Sequence, residues 1–295
     1  MGKVVSKIKE GKVLVSDGAW GTFLHQKGLK ADECPELWNQ QRPEDVLEIA
    51  LNYVEAGADM ILTNSFGASP LKLEGYGLEA QTYELNRRAA EISKKAAGER
   101  CHVLGSMGPT GKMVMMGEVN PQEVYKGFRE QARGLADGDA DGIVIETMSD
   151  PEEARLAIEA VKEITDLDIA CTFTFSKNQD GAYRTMMGTD VGAYLEMAKS
   201  AGADIIGANC GNGTAGMIEI VREIRNLDPV IPVLVHANAG LPIYQDGKTV
   251  FPESAGEMAS QIEELVAAGA NIIGGCCGTT PEHIRKIVRV INNLA

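Results

Sequence analysis

One phrase returns along the chain and limits what it can fold into. Ala56-Gly57-Ala58-Asp59-Met60-Ile61-Leu62-Thr63-Asn64 recurs as Ala201-Gly202-Ala203-Asp204-Ile205-Ile206-Gly207-Ala208-Asn209. It returns as Ala268-Gly269-Ala270-Asn271-Ile272-Ile273-Gly274-Gly275-Cys276, with a looser copy from Asp139 to Thr147. Each copy follows a helical pattern, turns, runs a short apolar stretch and stops in small or polar residues. That is the helix-to-strand handover of a repeating βα unit. Filling the gaps predicts strands at 13–17, 60–64, 102–106, 142–146, 169–173, 205–209, 233–237 and 271–275. Helical patterns lie at 46–56, 79–97, 121–135, 151–165, 191–201, 215–226, 257–268 and 281–294. The continuous apolar runs suit parallel strands covered on both faces. Eight units in 295 residues fit an α/β fold of the (β/α)8 TIM barrel type, with a doubly wound open sheet as the alternative. No linker composition divides the chain, so residues 1–295 read as one domain.

Charge excludes several partners. The formal net charge is −14 with a pI near 4.8, and no basic patch stands out to neutralise nucleic-acid phosphates or an anionic membrane. No apolar run approaches the roughly 20 residues of a spanning helix. The polar, lysine-rich start lacks the apolar core of a signal peptide, so a cytoplasmic protein is expected. Six cysteines are too sparse for a disulfide scaffold. Cys34, Cys101 and Cys171 lie apart and are expected to be buried.

In a barrel the functional groups gather at the C-terminal ends of the strands. Those ends are Asp17, Asn64-Ser65, Ser106-Met107-Gly108, Glu146-Thr147, Thr174, Asn209-Cys210-Gly211, Asn238 and Cys276-Cys277. Three of the six cysteines fall there, on one rim. Adjacent residues in a regular strand point oppositely, but Gly275 and Gly278 permit unusual dihedrals that would let both Cys276 and Cys277 face one ion. Three converging thiolates favour Zn²⁺ with a fourth position open. Such an anionic centre makes poor hydroxide but suits a substrate thiol that must become a nucleophile, which points to thiol alkylation. Other readings stay open: Cys210 packing in the core, a phosphate grip at Gly274-Gly275 and the helix that follows, or a strained vicinal disulfide. Thr280 is a candidate N-cap for that helix, with Pro281 at its first position. His236, inside a late strand, reads as core or as support to the site. Met113 to Met116 form either a soft lip over the mouth or a loop packed on the rim. Trp20 and Phe66 would wall the pocket or join the core.

The segments Asp17-Gly18-Ala19-Trp20-Gly21-Thr22, Thr63-Asn64-Ser65-Phe66-Gly67-Ala68, Gly105-Ser106-Met107-Gly108-Pro109-Thr110-Gly111, Glu146-Thr147-Met148, Gly207-Ala208-Asn209-Cys210-Gly211, Asn238-Ala239-Gly240-Leu241-Pro242 and Gly274-Gly275-Cys276-Cys277-Gly278-Thr279-Thr280-Pro281 resemble, in order, those of the homocysteine S-methyltransferase family. The forms around Asp17 and Asn64 look closest to the homocysteine-binding module of cobalamin-dependent methionine synthase. The resemblance implies zinc held by Cys210, Cys276 and Cys277. It implies the amino group of homocysteine held by Asp17 and Glu146, and its carboxylate received by backbone N–H groups around Gly18 and Ala19. Asn238 matches a position that can occupy the fourth zinc site before substrate arrives; ordering its loop is the plainer alternative. Asp17 could instead cap a turn, and Glu146 could pair with a neighbouring base.

The activity so implied is methylation of homocysteine to methionine. The donor implied by the closest resemblance is methylcobalamin on a separate corrinoid protein acting in trans. Alternatives are a betaine- or S-methylmethionine-type enzyme, or a corrinoid-linked methyltransferase or demethylase subunit with another donor or acceptor.

Overall fold

The computed structural model describes residues 2–245 and 247–294. Eight parallel strands form one sheet: β1 (Leu14–Val15), β2 (Met60–Leu62), β3 (His102–Met107), β4 (Gly142–Met148), β5 (Asp168–Phe173), β6 (Ile205–Asn209), β7 (Val233–Ala237) and β8 (Ile272–Gly275). Their order is β1-β8-β7-β6-β5-β4-β3-β2, so the sheet curls until its two ends meet. The seam between β1 and β2 is joined by the Asp59 N–H to the Val15 carbonyl (2.7 Å) and by the Val15 N–H to Asp59 Oδ2 (2.8 Å). This is the (β/α)8 barrel. Helix α1 (Lys3–Lys9) precedes it, and α2 (Pro43–Glu55), α3 (Thr82–Ala97), α4 (Pro121–Asp137), α5 (Pro151–Ile164), α6 (Val191–Ala201), α7 (Thr214–Leu227), α8 (Ile262–Ala268) and α9 (Pro281–Leu294) surround it.

The repeated phrase has a mechanical purpose. Its glycines Gly57, Gly202 and Gly269 take φ of 96°, 101° and 110°, the left-handed geometry that ends a helix. In the looser copy Asp139 stands at that position and keeps φ at 69°. The acid or amide two residues on then brackets the preceding strand. Asp59, Asp141, Asp204 and Asn271 donate their backbone N–H groups to Val15, Val103, Ile169 and Val233. Their side-chain oxygens accept from the N–H groups of the same four residues. The phrase therefore marks every second strand and ties it to its predecessor.

Alternation along the strands builds the interior. Leu14, Met60, Leu104, Val144, Ala170, Ile205, Leu234 and Ile272 cluster inside the barrel with Val4, Val5 and Ile8 of α1. Their neighbours Val15, Ile61, Ile145, Cys171, Ile206, Val235 and Ile273 belong to the larger cluster shared with the helices. Two residues further along the inward rows stand Ser16, Ser106, Glu146, Thr172 and His236, all buried and polar. An apolar plug thus closes the lower barrel beneath a polar floor.

Local details depart from the sequence expectation where side chains replace backbone. The strands expected to reach Asp17 and Asn64 end at Val15 and Leu62. There the Leu62 N–H donates to Asp17 Oδ2 and the Ser106 N–H to Thr63 Oγ1. The helix expected at 257–268 is broken at Gln261 into Ala255–Ser260 and Ile262–Ala268. At the start of α9, His283 Nδ1 accepts from the Thr280 N–H (3.2 Å), while the Ile284 N–H donates to the Thr280 carbonyl. Cys34, Cys101 and Cys171 are buried as expected. Among the described residues no helix is long and apolar enough to cross a membrane.

Candidate metal centre and substrate pocket

The three rim cysteines converge. Cys210 leaves β6 at φ 58°, with its N–H donating to the His236 carbonyl at 3.0 Å. The Cys276 N–H donates to the Ala237 carbonyl at 2.7 Å, and the Cys277 N–H to Asn238 Oδ1 at 3.1 Å. The first two are the last ladder bonds that β6 and β8 make with β7; at Cys277 a side-chain oxygen takes the place of strand pairing, so Cys276 and Cys277 need not point oppositely. Their Sγ atoms are 4.0 Å apart, Cys277 lies 4.0 Å from Cys210, and all three sulfurs fall within 4.8 Å of one another. A disulfide requires about 2.05 Å, so the cysteines are free thiols. A tetrahedral ion with metal–sulfur bonds of about 2.3 Å has edges of about 3.8 Å. The cluster is close to that size and could hold a metal ion.

The turn that presents the pair is locked from beneath. Thr279, fully buried, donates its hydroxyl to the Cys276 carbonyl (2.7 Å) and accepts from the Ala19 N–H (3.1 Å). It lies so close that a Cβ on Gly275 would meet Thr279 Oγ1 at 2.2 Å. Sequence reasoning missed Thr279; its place in the Gly-Gly-Cys-Cys-Gly-Thr run was the available signal.

A cavity of about 330 Å³ opens beside the sulfurs, lined by Gly18 to Thr22, Leu62 to Phe66, Ser106, Glu146, Thr147, His236 and the three cysteines. Trp20 and Phe66 are pocket walls, and Met115 and Met116 are exposed on the loop after β3. Asp17 and Asn238 are not among the lining residues. The Asp17 carboxylate lies behind Gly18 and accepts from the Leu62 N–H and Trp20 Nε1–H, both at 2.8 Å, and from the Ser16 hydroxyl at 3.3 Å. Asn238 gives its oxygen to the Cys277 amide, which orders the cysteine turn. The Ala19 N–H is committed to Thr279, whereas the Gly18 N–H has no hydrogen bond among the described residues.

Burial dominates the electrostatics. It pushes the Glu146 carboxyl up to about 7, with the negative charges of Asp17 and Cys210 adding to the effect and the Ser106 hydroxyl opposing it. Asp17 is likewise raised to about 7 by burial, against its hydrogen bonds. Among the sulfurs, hydrogen bonds from Cys276 and Cys277 pull the Cys210 thiol down, and the same contacts hold Cys276 up. His236 is pushed down to about 4 by burial, and its Nε2 has no partner among the described residues. Ser106 and Asn209 look like loop-ordering residues in the sequence. Here Ser106 binds the Glu146 carboxylate, while Asn209 holds Thr147.

A family model described as Homocysteine S-methyltransferase matches residues 14–291. Methionine synthase from Mycobacterium leprae (strain TN) is 32% identical over 294 residues, which cover 95% of this chain and 24% of that protein. Methionine synthase from Mycobacterium tuberculosis (strain ATCC 25618 / H37Rv) is 33% identical over 297 residues, 96% of this chain and 25% of that protein. The chain spans about a quarter of the length of these curated relatives. The metallated form of the homocysteine methyltransferase MmuM from Escherichia coli has the same fold. Its TM-score is 0.78 at 24% identity, with 96% of this chain and 97% of that one covered.

Proposed function

The chain belongs to the homocysteine S-methyltransferase family, and from that premise we propose that it is a zinc-dependent enzyme converting homocysteine to methionine. The observation that carries this reading is the placing of three thiols and one buried carboxylate, Glu146, around a single cavity. Cys210, Cys276 and Cys277 would hold Zn²⁺. The ion would supply ionisation of a thiol near neutral pH, and its three anionic ligands would keep that sulfur electron-rich.

The remaining chemistry falls to the chain's own residues. Glu146 faces the cavity with one oxygen bound to Ser106 and receives the substrate ammonium on the other. Asp17 is walled off, so its part is to fix Trp20 and the Gly18 turn and to add negative charge beneath the ammonium. Gly18 offers its N–H to the substrate carboxylate. Held at both ends, the substrate presents its sulfur to the open mouth, where the S–CH₃ bond forms as the donor–CH₃ bond breaks in line. Asn238 keeps the cysteine turn in register, and we retain for it the role of resting fourth ligand.

For the donor we propose methylcobalamin on a separate corrinoid protein, in keeping with relatives named methionine synthase. The exposed apolar side chains Met115, Met116, Met186, Leu241 and Tyr244 on loops of the strand-end face suit a macromolecular donor. A second reading is favoured by Trp20 and Phe66, whose rings could face a cationic sulfonium or betaine donor. Incubating the zinc-loaded protein and homocysteine with methylcobalamin, a methylated corrinoid protein, S-methylmethionine or betaine separates them. Methionine should form with the corrinoid protein. No methionine from any donor, together with no calorimetric binding of homocysteine, would remove the proposal.

A further inference from the structure

Two non-glycine residues at the site are held in the left-handed region: Thr147 at φ 64° and Cys210 at φ 58°. For β-branched Thr147 this is a costly conformation that needs to be held by its surroundings. It sits where the β4–β5 register shifts between Ile145 and Met148, an irregularity that begins beside the inward-facing Glu146. The restraint is one fully buried carboxamide, Asn209, the last residue of β6. Asn209 Oδ1 accepts from the Thr147 N–H and the Thr172 hydroxyl, and Nδ2 donates to Thr147 Oγ1, each at 2.7 Å. The Thr174 hydroxyl donates to its carbonyl at 3.0 Å. Every polar group of this side chain is engaged across the strands. On one side it grips the residue after Glu146; on the other its own backbone leads directly into Cys210.

We propose that Asn209 is a positioning residue that sets the separation between the carboxylate end and the sulfur end of the site. It would thereby select the two-methylene spacing of homocysteine over the single methylene of cysteine. The inference rests on the homocysteine reading above. The two ends belong to neighbouring parts of the rim, β4 and β6, and nothing covalent links them closely. A single planar amide making three hydrogen bonds across the strands makes their separation rigid. One methylene changes the span between amino group and sulfur by about 1 Å, and a misplacement of that size is enough to cost up to about a hundredfold in a positioned reaction.

The test measures calorimetric Kd for homocysteine and for cysteine on zinc-loaded wild type, Asn209→Ala, and the double variant Asn209→Ala with Thr147→Gly. Zinc content and thermal midpoint are recorded alongside. Asn209→Ala should keep stoichiometric zinc, bind homocysteine about tenfold or more weakly, and narrow the preference over cysteine. Thr147→Gly in that background should restore part of both, because glycine adopts positive φ without being held. An unchanged homocysteine-to-cysteine ratio in Asn209→Ala overturns the proposal, as does a double variant whose losses simply add. If Asn209→Ala does not fold, Thr147→Val, which removes only the Oγ1 bond, must lower the same ratio or the proposal fails. Failure of the wild type to bind homocysteine would instead strike the proposed function.

Discussion

Replacing Glu146 by Gln tests the electrostatics of the pocket with almost no change of shape. An ionised carboxylate meeting a substrate ammonium contributes about 1.5–3 kcal/mol more than a neutral amide, or roughly ten- to hundredfold in affinity. Glu146 titrates near 7 because it is buried, so it is about nine-tenths ionised at pH 8 and about one-tenth at pH 6. The ratio of wild-type to Glu146→Gln homocysteine affinity should therefore fall roughly five- to ninefold from pH 8 to pH 6. Taking the ratio cancels thiol ionisation and metal occupancy, which both proteins share. Isothermal titration of the zinc-loaded proteins at several pH values supplies the numbers. Stability must move the opposite way. A carboxyl raised from 4.5 to about 7 in the folded state adds stability below its unfolded pKa, and that stability is lost as pH rises through 7. At pH 8 the Gln variant should thus unfold later than wild type, by as much as about 3 kcal/mol. A pH-independent affinity ratio, together with matching stability profiles, would refute the assignment.

Two further outcomes follow from the geometry. Cys276→Ser should lower zinc from stoichiometric to well below one per chain by metal analysis while leaving the far-ultraviolet circular dichroism unchanged, since the cluster sits on the rim and not in the barrel's apolar plug. Full zinc retention would remove the thiolate site. At the other end of the barrel, Asp168 accepts the N–H groups of Gly2, Val4 and Val5 and so caps α1. Asp168→Ala should cost about 1–3 kcal/mol in a denaturation experiment and leave homocysteine affinity unchanged; a change in affinity with no loss of stability would contradict this.

The barrel was legible because its signals are local. A helix that ends on a left-handed residue before an acid or amide and an apolar run reads the same wherever it stands, and the runs were long enough to count eight strands. The cysteines were legible for a related reason: placed at strand ends, Cys210, Cys276 and Cys277 had to share one rim. Even the two-residue alternation that separates the apolar plug from the polar floor is written in the strands.

What the sequence could not supply is which polar group meets which across the barrel. Asp17 and Glu146 looked equivalent, each an acid at a strand end. The fold turns one behind Gly18, under Leu62 and Trp20, and leaves the other facing the cavity. Thr279, Ser106 and Asn209 matter through partners 260, 40 and 62 residues away. No local pattern records such pairs, because hydrogen-bond geometry depends on where strands are brought, not on which residues adjoin. Local backbone preference and strand order were enough to specify the repeating unit, the barrel and the three converging thiols. The tertiary structure alone decided which carboxylate is open to a ligand and what holds the strained residues beside it, since burial and long-range pairing exist only once the chain has closed on itself.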